Sequence, residues 1–361
     1  MIPYSILCAI TRRSSFRRVQ ASQNSSLAAA STRLWLSALI LAATLLQGIT
    51  VVAQLKTTPS PAPSTAIPVV TGDSLVLFVS DAQGPLFVEE AVLKANSNNK
   101  AREIIFTQML ADHANAIFTL GDMASLGFYQ STWKSFDNFL SRARVERVPV
   151  FATLGNHELM IYPSFGAEEF NARFPWYVKT GYSVRVGKLA VAMLNSNYSQ
   201  LSDEEESRQV AWLDSTLAAF EADSSVSTVI VACHHPPFTN STIVTPSEEV
   251  LDEFVPLYLR YSKCRLFLSG HCHAFEHFRQ EGKDFLVLGG GGGLQQPLLI
   301  GNEAVWEDLF PRKTPIRMFH YLQCRLVQGV LHVTVKMLKP DFTGFEDAYE
   351  LALPPVQLSQ Q

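Results

Sequence analysis

The run Val148-Pro149-Val150-Phe151-Ala152-Thr153-Leu154-Gly155-Asn156-His157-Glu158 passes from apolar, β-prone residues to an amide, an imidazole and a carboxylate in consecutive positions. Val148–Leu154 reads as a buried strand and Gly155 as the turn that ends it. Asn156 then offers a neutral carbonyl oxygen, although an asparagine after glycine is by itself an ordinary turn residue. His157 beside it changes the weighting. An imidazole next to a metal, but not on it, can stabilise a phosphoryl oxygen or protonate a leaving alkoxide. Glu158 reads either as an acceptor that orients His157 or a ligand, or as a solvent-facing carboxylate at a helix start.

Four further blocks repeat the pattern. Leu75–Val79 precedes Ser80-Asp81-Ala82-Gln83, and Ala116–Leu120 precedes Gly121-Asp122-Met123. Thr228–Ala232 precedes His234-His235-Pro236-Pro237, and Arg265–Leu268 precedes Gly270-His271-Cys272-His273. Asp81 and Asp122 each end a predicted buried strand, where an unpaired carboxylate needs a partner such as a metal. Either alone would also serve as a loop cap. Gly121 lets the backbone bend directly before Asp122. His234 comes straight off its strand and is assigned to a metal. His235 lines the substrate pocket or packs beneath the prolines. His271 and His273 are two apart, so an extended segment would turn both to one face and Cys272 to the other. An isolated His-x-His is an exposed or packed pair more often than a site, yet neutral imidazole is a frequent metal ligand. Gathered at one rim, the blocks can hold two metal ions and a water, which suits hydrolysis of a phosphate ester.

Between the blocks, Lys100–Asn115, Tyr129–Arg142 and Glu248–Tyr261 read as helices. Ser202 opens another, with Glu205 at capping-box spacing and Val210, Leu213, Leu217 and Phe220 as its apolar stripe. Tyr182–Val186 and Leu189–Leu194 read as adjoining strands around Gly187, and Phe285–Leu288, Phe319–Leu326 and Leu331–Met337 complete the sheets. Strands alternate with helices early and dominate late. The expected fold class is therefore α/β, with helices covering two packed sheets and polar groups collected where strands end.

The chain has 361 residues and 47% hydrophobic content, enough for a well-packed core. Its formal charge of −4 hides an asymmetry. Residues 1–72 carry Arg12, Arg13, Arg17, Arg18, Arg33 and Lys56 and no acidic residue, leaving 23 basic and 33 acidic residues beyond, a net of −10. An acidic body gives no broad electrostatic reason to bind nucleic acid, which is not expected as a partner. Residues 1–55 form a basic leader whose stretch 34–53 is uncharged. About 20 such residues span a bilayer, or serve as a signal peptide cleaved after Val51-Val52-Ala53. Residues 56–72 form a Pro/Ser/Thr-rich linker, the body runs 73–340, and 341–361 is a tail. The expectation is a body exported or tethered through 34–53 outside the cytoplasm, with an organellar transit peptide as the other reading. Cys233, Cys264, Cys272 and Cys324 show no zinc-finger or dense disulfide spacing and read as buried thiols, with one disulfide open in an exported form. Asn197-Tyr-Ser199 and Asn240-Ser-Thr242 match a glycosylation pattern.

The ordered blocks resemble the calcineurin-like metallophosphoesterase superfamily, which includes purple acid phosphatases and cyclic-nucleotide phosphodiesterases. The resemblance covers about residues 74–338, and extends to the helix segment Gln209-Val210-Ala211-Trp212-Leu213 and the glycine run Gly289–Gly293. It implies a four-layer α/β/β/α sandwich and a centre of two metal ions, iron, manganese or zinc. It places Asp81 and His273 on the first metal, Asp122 between both, and Asn156, His234 and His271 on the second. His157 would contact the phosphate or the leaving group. The first block departs from the family's Asp-x-His by carrying Gln83, whose oxygen can ligate but is harder than imidazole. The position where purple acid phosphatases place a tyrosine is Ser125, and Tyr129 is out of register, so no tyrosinate-to-iron colour is expected.

The leading function is metal-dependent hydrolysis of a small phosphomonoester or phosphodiester. Gln83 motivates the alternative, a catalytically weak exported binding protein on the same scaffold. A nuclease conflicts with the acidic body, although a groove can be locally basic. No protein partner is evident. Met160–Phe174, Phe238–Pro246 and Leu294–Phe310 are expected to form the substrate-facing loops, and Trp176, Tyr177 and Trp306 to pack in the core more readily than to stack on a base.

Overall fold

Ser74–Val79 (β2) alternates between two environments. Leu75, Leu77 and Val79 pack with one apolar cluster, and Val76 and Phe78 with another, as the two-residue period of a strand buried on both faces requires. This computed structural model describes residues 69–70, 74–85 and 97–355. The expected leader, with its apolar stretch 34–53, lies outside the described residues. So does most of the linker, whose Val69–Val70 (β1) pairs in parallel with Tyr182–Val186 (β5). Among the described residues, no helix is long and apolar enough to cross a membrane.

Two sheets carry the fold. In one, β2, Ala116–Thr119 (β3) and Val150–Ala152 (β4) run parallel. His320–Val327 (β11), Val330–Leu338 (β12) and Phe345–Leu353 (β13) extend it antiparallel, in the order β13-β12-β11-β2-β3-β4. The other contains Leu189–Met193 (β6), Thr228–Ala232 (β7), Cys264–Ser269 (β8), Phe275–Gln280 (β9) and Lys283–Leu288 (β10), in the order β1-β5-β6-β7-β8-β10-β9.

Three apolar layers separate helices from sheets and the sheets from each other. Asn98–Ala111 (α1) and Lys134–Val145 (α2) place Ile105, Phe106, Met109, Phe136 and Phe139 against the outer face of the first sheet. Between the sheets lie Val76, Phe118, Val191, Ile230, Leu268 and Leu322. On the far side, the helix Asp203–Ala222 and the short helix Val255–Arg260 set Leu213, Leu217, Leu257 and Tyr258 against Val229 and Val231. Each such fully buried side chain contributes about 2 kcal/mol of transfer free energy. The capping box at Ser202 forms, with Glu205 N donating to Ser202 Oγ at 3.3 Å and Ser202 N to Glu205 Oε2 at 3.0 Å.

Several boundaries differ from expectation. The helix expected over Lys100–Asn115 is α1, Asn98–Ala111, and the chain leaves it at His113, whose φ is 51°. Tyr129–Arg142 resolves into a 3-10 turn, Gln130–Trp133, followed by α2. The strand around Val148–Leu154 is only Val150–Ala152. Asn156–Leu159 is a single helical turn (α3), and the expected loop Met160–Phe174 contains a helix, Pro163–Arg173 (α4), with proline in its first turn. The tail boundary at 340 is also corrected, because β13 pairs along β12. Glu346, Asp347 and Glu350 charge this edge strand and mask its alternation in the sequence, a usual feature of exposed sheet edges.

Candidate metal centre

The C-terminal ends of β2, β3, β4, β7 and β8 deliver the five blocks to one rim. Backbone bonds zip the loops together: Asp81 N donates to Gly121 O at 3.1 Å, Gln83 N to Asp122 O at 2.8 Å and Gly270 N to His234 O at 2.8 Å. The spacing is tight enough that a Cβ on Gly155 would collide with Asp122, and Gly121 turns with a φ of 95°. Asp81, Asp122, His271 and His273 have φ values of 59°, 56°, 72° and 44°. Each left-handed residue costs about 1–2 kcal/mol, and such strain collects at functional sites.

The first group is Asp81, Asp122 and His273, whose ligand atoms lie within 4.8 Å of one another. Asp81 Oδ2 accepts the His271 N–H at 2.9 Å. Its buried Oδ1 accepts no hydrogen bond and lies 3.3 Å from His273 Nε2. His273 donates Nδ1–H to Leu294 O at 2.6 Å, which turns the Nε2 lone pair inward. Gln83 is 3% exposed. In the amide orientation that satisfies its surroundings, its nitrogen donates to Asp122 O at 2.9 Å and Asp81 O at 3.2 Å, leaving its oxygen 3.0 Å from His273 Nε2.

The second group is His234, His235 and His271, again with ligand atoms within 4.8 Å. His234 donates Nδ1–H to Leu120 O at 2.8 Å. Its Nε2 lies 3.0 Å from Asn156 Oδ1 and 3.3 Å from Asp122 Oδ2. Asp122 spans both groups. Its Oδ1 accepts the His157 N–H at 2.8 Å, while its buried Oδ2 accepts no hydrogen bond.

These buried carboxylate oxygens facing nitrogen lone pairs fit a cation held between them, since desolvated charge needs a partner. Without a metal, a proton must serve. Burial disfavours the His234 imidazolium, but the Asp122 carboxylate outweighs it and pushes His234 up to about 9. Burial would raise Asp122, yet His234 and His157 hold it well below the usual carboxylate range. His235 is pushed down to about 3 by burial and by His234, and His271 well down by burial, His235 and His234.

The structure thus brings Asp81, Gln83, Asp122, Asn156, His234, His271 and His273 together. His157 lies at the edge, its side chain 16% exposed and its Nε2 4.0 Å from Asp122 Oδ2. Its orientation comes from the Ser125 carbonyl, 2.9 Å from Nδ1. Glu158 neither faces solvent nor orients the His157 ring, but it sits in the first turn of α3 and holds the backbone of the candidate ligand Asp122. It is fully buried and accepts four backbone N–H groups, from Asp122 and Gly155 on Oε2 and from Met123 and Ala124 on Oε1. Burial and Asp122 push its carboxyl up to about 7 against those donors. His235 joins the imidazole cluster. The His271–His273 segment is bent and left-handed, where an extended one was expected, but it still delivers both rings.

Cys272 turns away, its thiol 3.5 Å from Glu276 Oε2. Cys233, Cys264, Cys272 and Cys324 are all buried and free. Both glycosylation patterns fall on buried asparagines: Asn197 donates to Leu154 O at 3.1 Å and Asn240 to Trp306 O at 3.0 Å. The Ser125 hydroxyl donates to Gly84 O at 2.6 Å, and Tyr129 is 50% exposed. Sequence reasoning missed Ser196, which holds the His235 ring at 2.9 Å, and the carbonyls of Leu120 and Leu294. Only the first is a side chain, and a lone serine carries no signal. Trp176 and Tyr177 pack against both inner clusters, and Trp306 against Phe238.

Two packed sheets with candidate metal-ligating groups on the loops at one rim are the arrangement expected of a metallophosphoesterase-type protein. The sequence model of the calcineurin-like phosphoesterase family matches residues 74–275, and the chain belongs to that family. It is 28% identical over 193 residues to purple acid phosphatase 22 of Arabidopsis thaliana, a match covering 48% of this chain and 43% of that one. The chain thus spans less than half the length of that relative. Among solved structures, it is similar in fold to GAP50, the anchor in the inner membrane complex of Plasmodium. That match has a TM-score of 0.56 and 14% identity, covering 78% of this chain and 89% of that one. Purple acid phosphatase PPD1 from yellow lupin matches with a TM-score of 0.56 and 16% identity, covering 80% of this chain and 58% of that one.

Proposed function

We propose that the chain hydrolyses a small phosphate ester, mono- or di-, at a dinuclear metal centre. The observation that carries this reading is the pair of buried, unbonded oxygens, Asp81 Oδ1 and Asp122 Oδ2, each 3.3 Å from an imidazole Nε2. Asp81, Gln83 and His273 would hold one ion, Asn156, His234 and His271 the other, with Asp122 shared. Bound there, two ions would supply Lewis acidity and a water of lowered pKa. The chain's own residues do the rest. Glu158 fixes the loop that presents Asp122. His157 has Nδ1 committed to Ser125 O, so Nε2 is the atom left to bond a phosphoryl oxygen or exchange a proton with the leaving group. The basic, acid-poor leader supports placing this body outside the cytoplasm.

A screen of phosphorylated compounds against protein purified with its native metals tests the proposal. Turnover of at least one monoester or diester, abolished by a chelator and restored by metal, is the expected result. Metal-bound protein inert across the screen would overturn it. The alternative, a binding protein, is favoured by Gln83 in place of a histidine, and the fold neighbour GAP50, an anchor in the inner membrane complex of Plasmodium, is consistent with it. At most one ion per chain without turnover would support that reading.

A further inference from the structure

We propose that His235 is a third imidazole ligand at the second metal position, making that position a site for an ion of the zinc class. The inference deepens the metal-centre reading above and rests on it. The His235 ring lies 4.5 Å from the His271 ring and 4.9 Å from the His234 ring, centroid to centroid. The ligand atoms of all three fall within 4.8 Å of one another. Ser196 fixes the ring: its Oγ accepts the His235 backbone N–H at 2.9 Å and lies 2.9 Å from Nδ1. With Nδ1–H donating to that oxygen, Nε2 would carry the lone pair. A hydrogen bond on the far ring nitrogen is the usual device that fixes the tautomer and orientation of a ligating histidine.

His234 donates Nδ1–H to Leu120 O, so its Nε2 is an acceptor toward the shared centre, and the same tautomer of His235 would add a second acceptor there. Acceptors that converge in a largely buried space need an electrophile between them. The two positions are then chemically unequal. The first offers carboxylates of Asp81 and Asp122, an amide oxygen of Gln83 and one imidazole, His273. The second offers three imidazoles with the Asn156 and Asp122 oxygens. Nitrogen-rich sets favour zinc-class ions over manganese or magnesium, which prefer oxygen.

The test is calorimetric titration of metal-free full-length protein with Zn²⁺, and separately with Mn²⁺, using a competing chelator. His235→Ala should weaken the tighter zinc step about 100-fold or more, and Ser196→Ala, which keeps the ring but frees it, about 10-fold. Manganese affinity should change far less in both variants. Zinc affinity unchanged in His235→Ala would overturn the proposal. If that variant fails to fold, zinc X-ray absorption and anomalous diffraction on the wild-type protein decide. His235 Nε2 about 2.0–2.1 Å from zinc is expected, and a separation beyond about 3 Å, outside any such bond, would overturn it. These readouts do not depend on turnover. A protein that binds zinc through His235 but hydrolyses nothing would sink the proposed function and leave this assignment standing, and a protein that binds no zinc but hydrolyses phosphate esters with another metal would sink this assignment and leave the function standing.

Discussion

His234 Nε2 and Asp122 Oδ2 face each other at 3.3 Å, deep in the protein and with no hydrogen bond on the oxygen. The ring's other nitrogen is committed to the Leu120 carbonyl. The pair is stable only with positive charge shared between them, from a metal ion or a proton.

That sharing sets a pH dependence for the metal-free protein. His234 rises from 6.5 to about 9 on folding, so its proton is held more tightly in the folded state. The stabilisation is complete below pH 6.5 and is lost as pH rises through about 9. Its size is about 3 kcal/mol. Urea denaturation of metal-free protein should show stability falling across that window, and Asp122→Asn should flatten the fall. An equal slope in the variant would contradict the pairing.

Glu158→Gln should destabilise the protein by about 3 kcal/mol. One carboxylate accepts four N–H groups, and an amide oxygen replaces only one of its two oxygens, leaving buried donors unpaired. Because two of those donors belong to Asp122 and Met123, metal affinity should fall as well. A variant with wild-type stability would show that the clamp does not matter.

His157→Ala should leave metal content intact and lower kcat about 100-fold, the range expected for loss of a proton-transfer group. Loss of metal with unchanged turnover per bound ion would reassign His157 as a ligand.

Gln83→His should restore the imidazole of the family's Asp-x-His block and tighten the first metal position about 10-fold. Equilibrium dialysis against graded metal concentrations measures this directly. No change would mean that Gln83 contributes nothing to the first ion.

The fold and the clustering of the candidate ligands were legible because each block is a short buried strand followed by residues that are costly to bury alone. Asp81, Asp122 and His234 carry that signature in their own flanks. Glu158 and His235 do not. A carboxylate that caps four N–H groups looks in sequence like any first-turn glutamate, and the closeness of His235 to His271 depends on how β7 and β8 pair. In the turn through His271 and His273, neither left-handed position is a glycine that would announce it. β13 was hidden because charges on an edge strand erase the apolar alternation.

Anomalous diffraction from crystals of the full chain, purified with its own metals, tests the central claim most directly. Two ions per chain are predicted, one contacted by Asp81, Gln83 and His273, the other by Asn156, His234 and His271, with Asp122 touching both. Ions absent from Asp81 Oδ1 and Asp122 Oδ2, in protein shown to be saturated with metal, would contradict it.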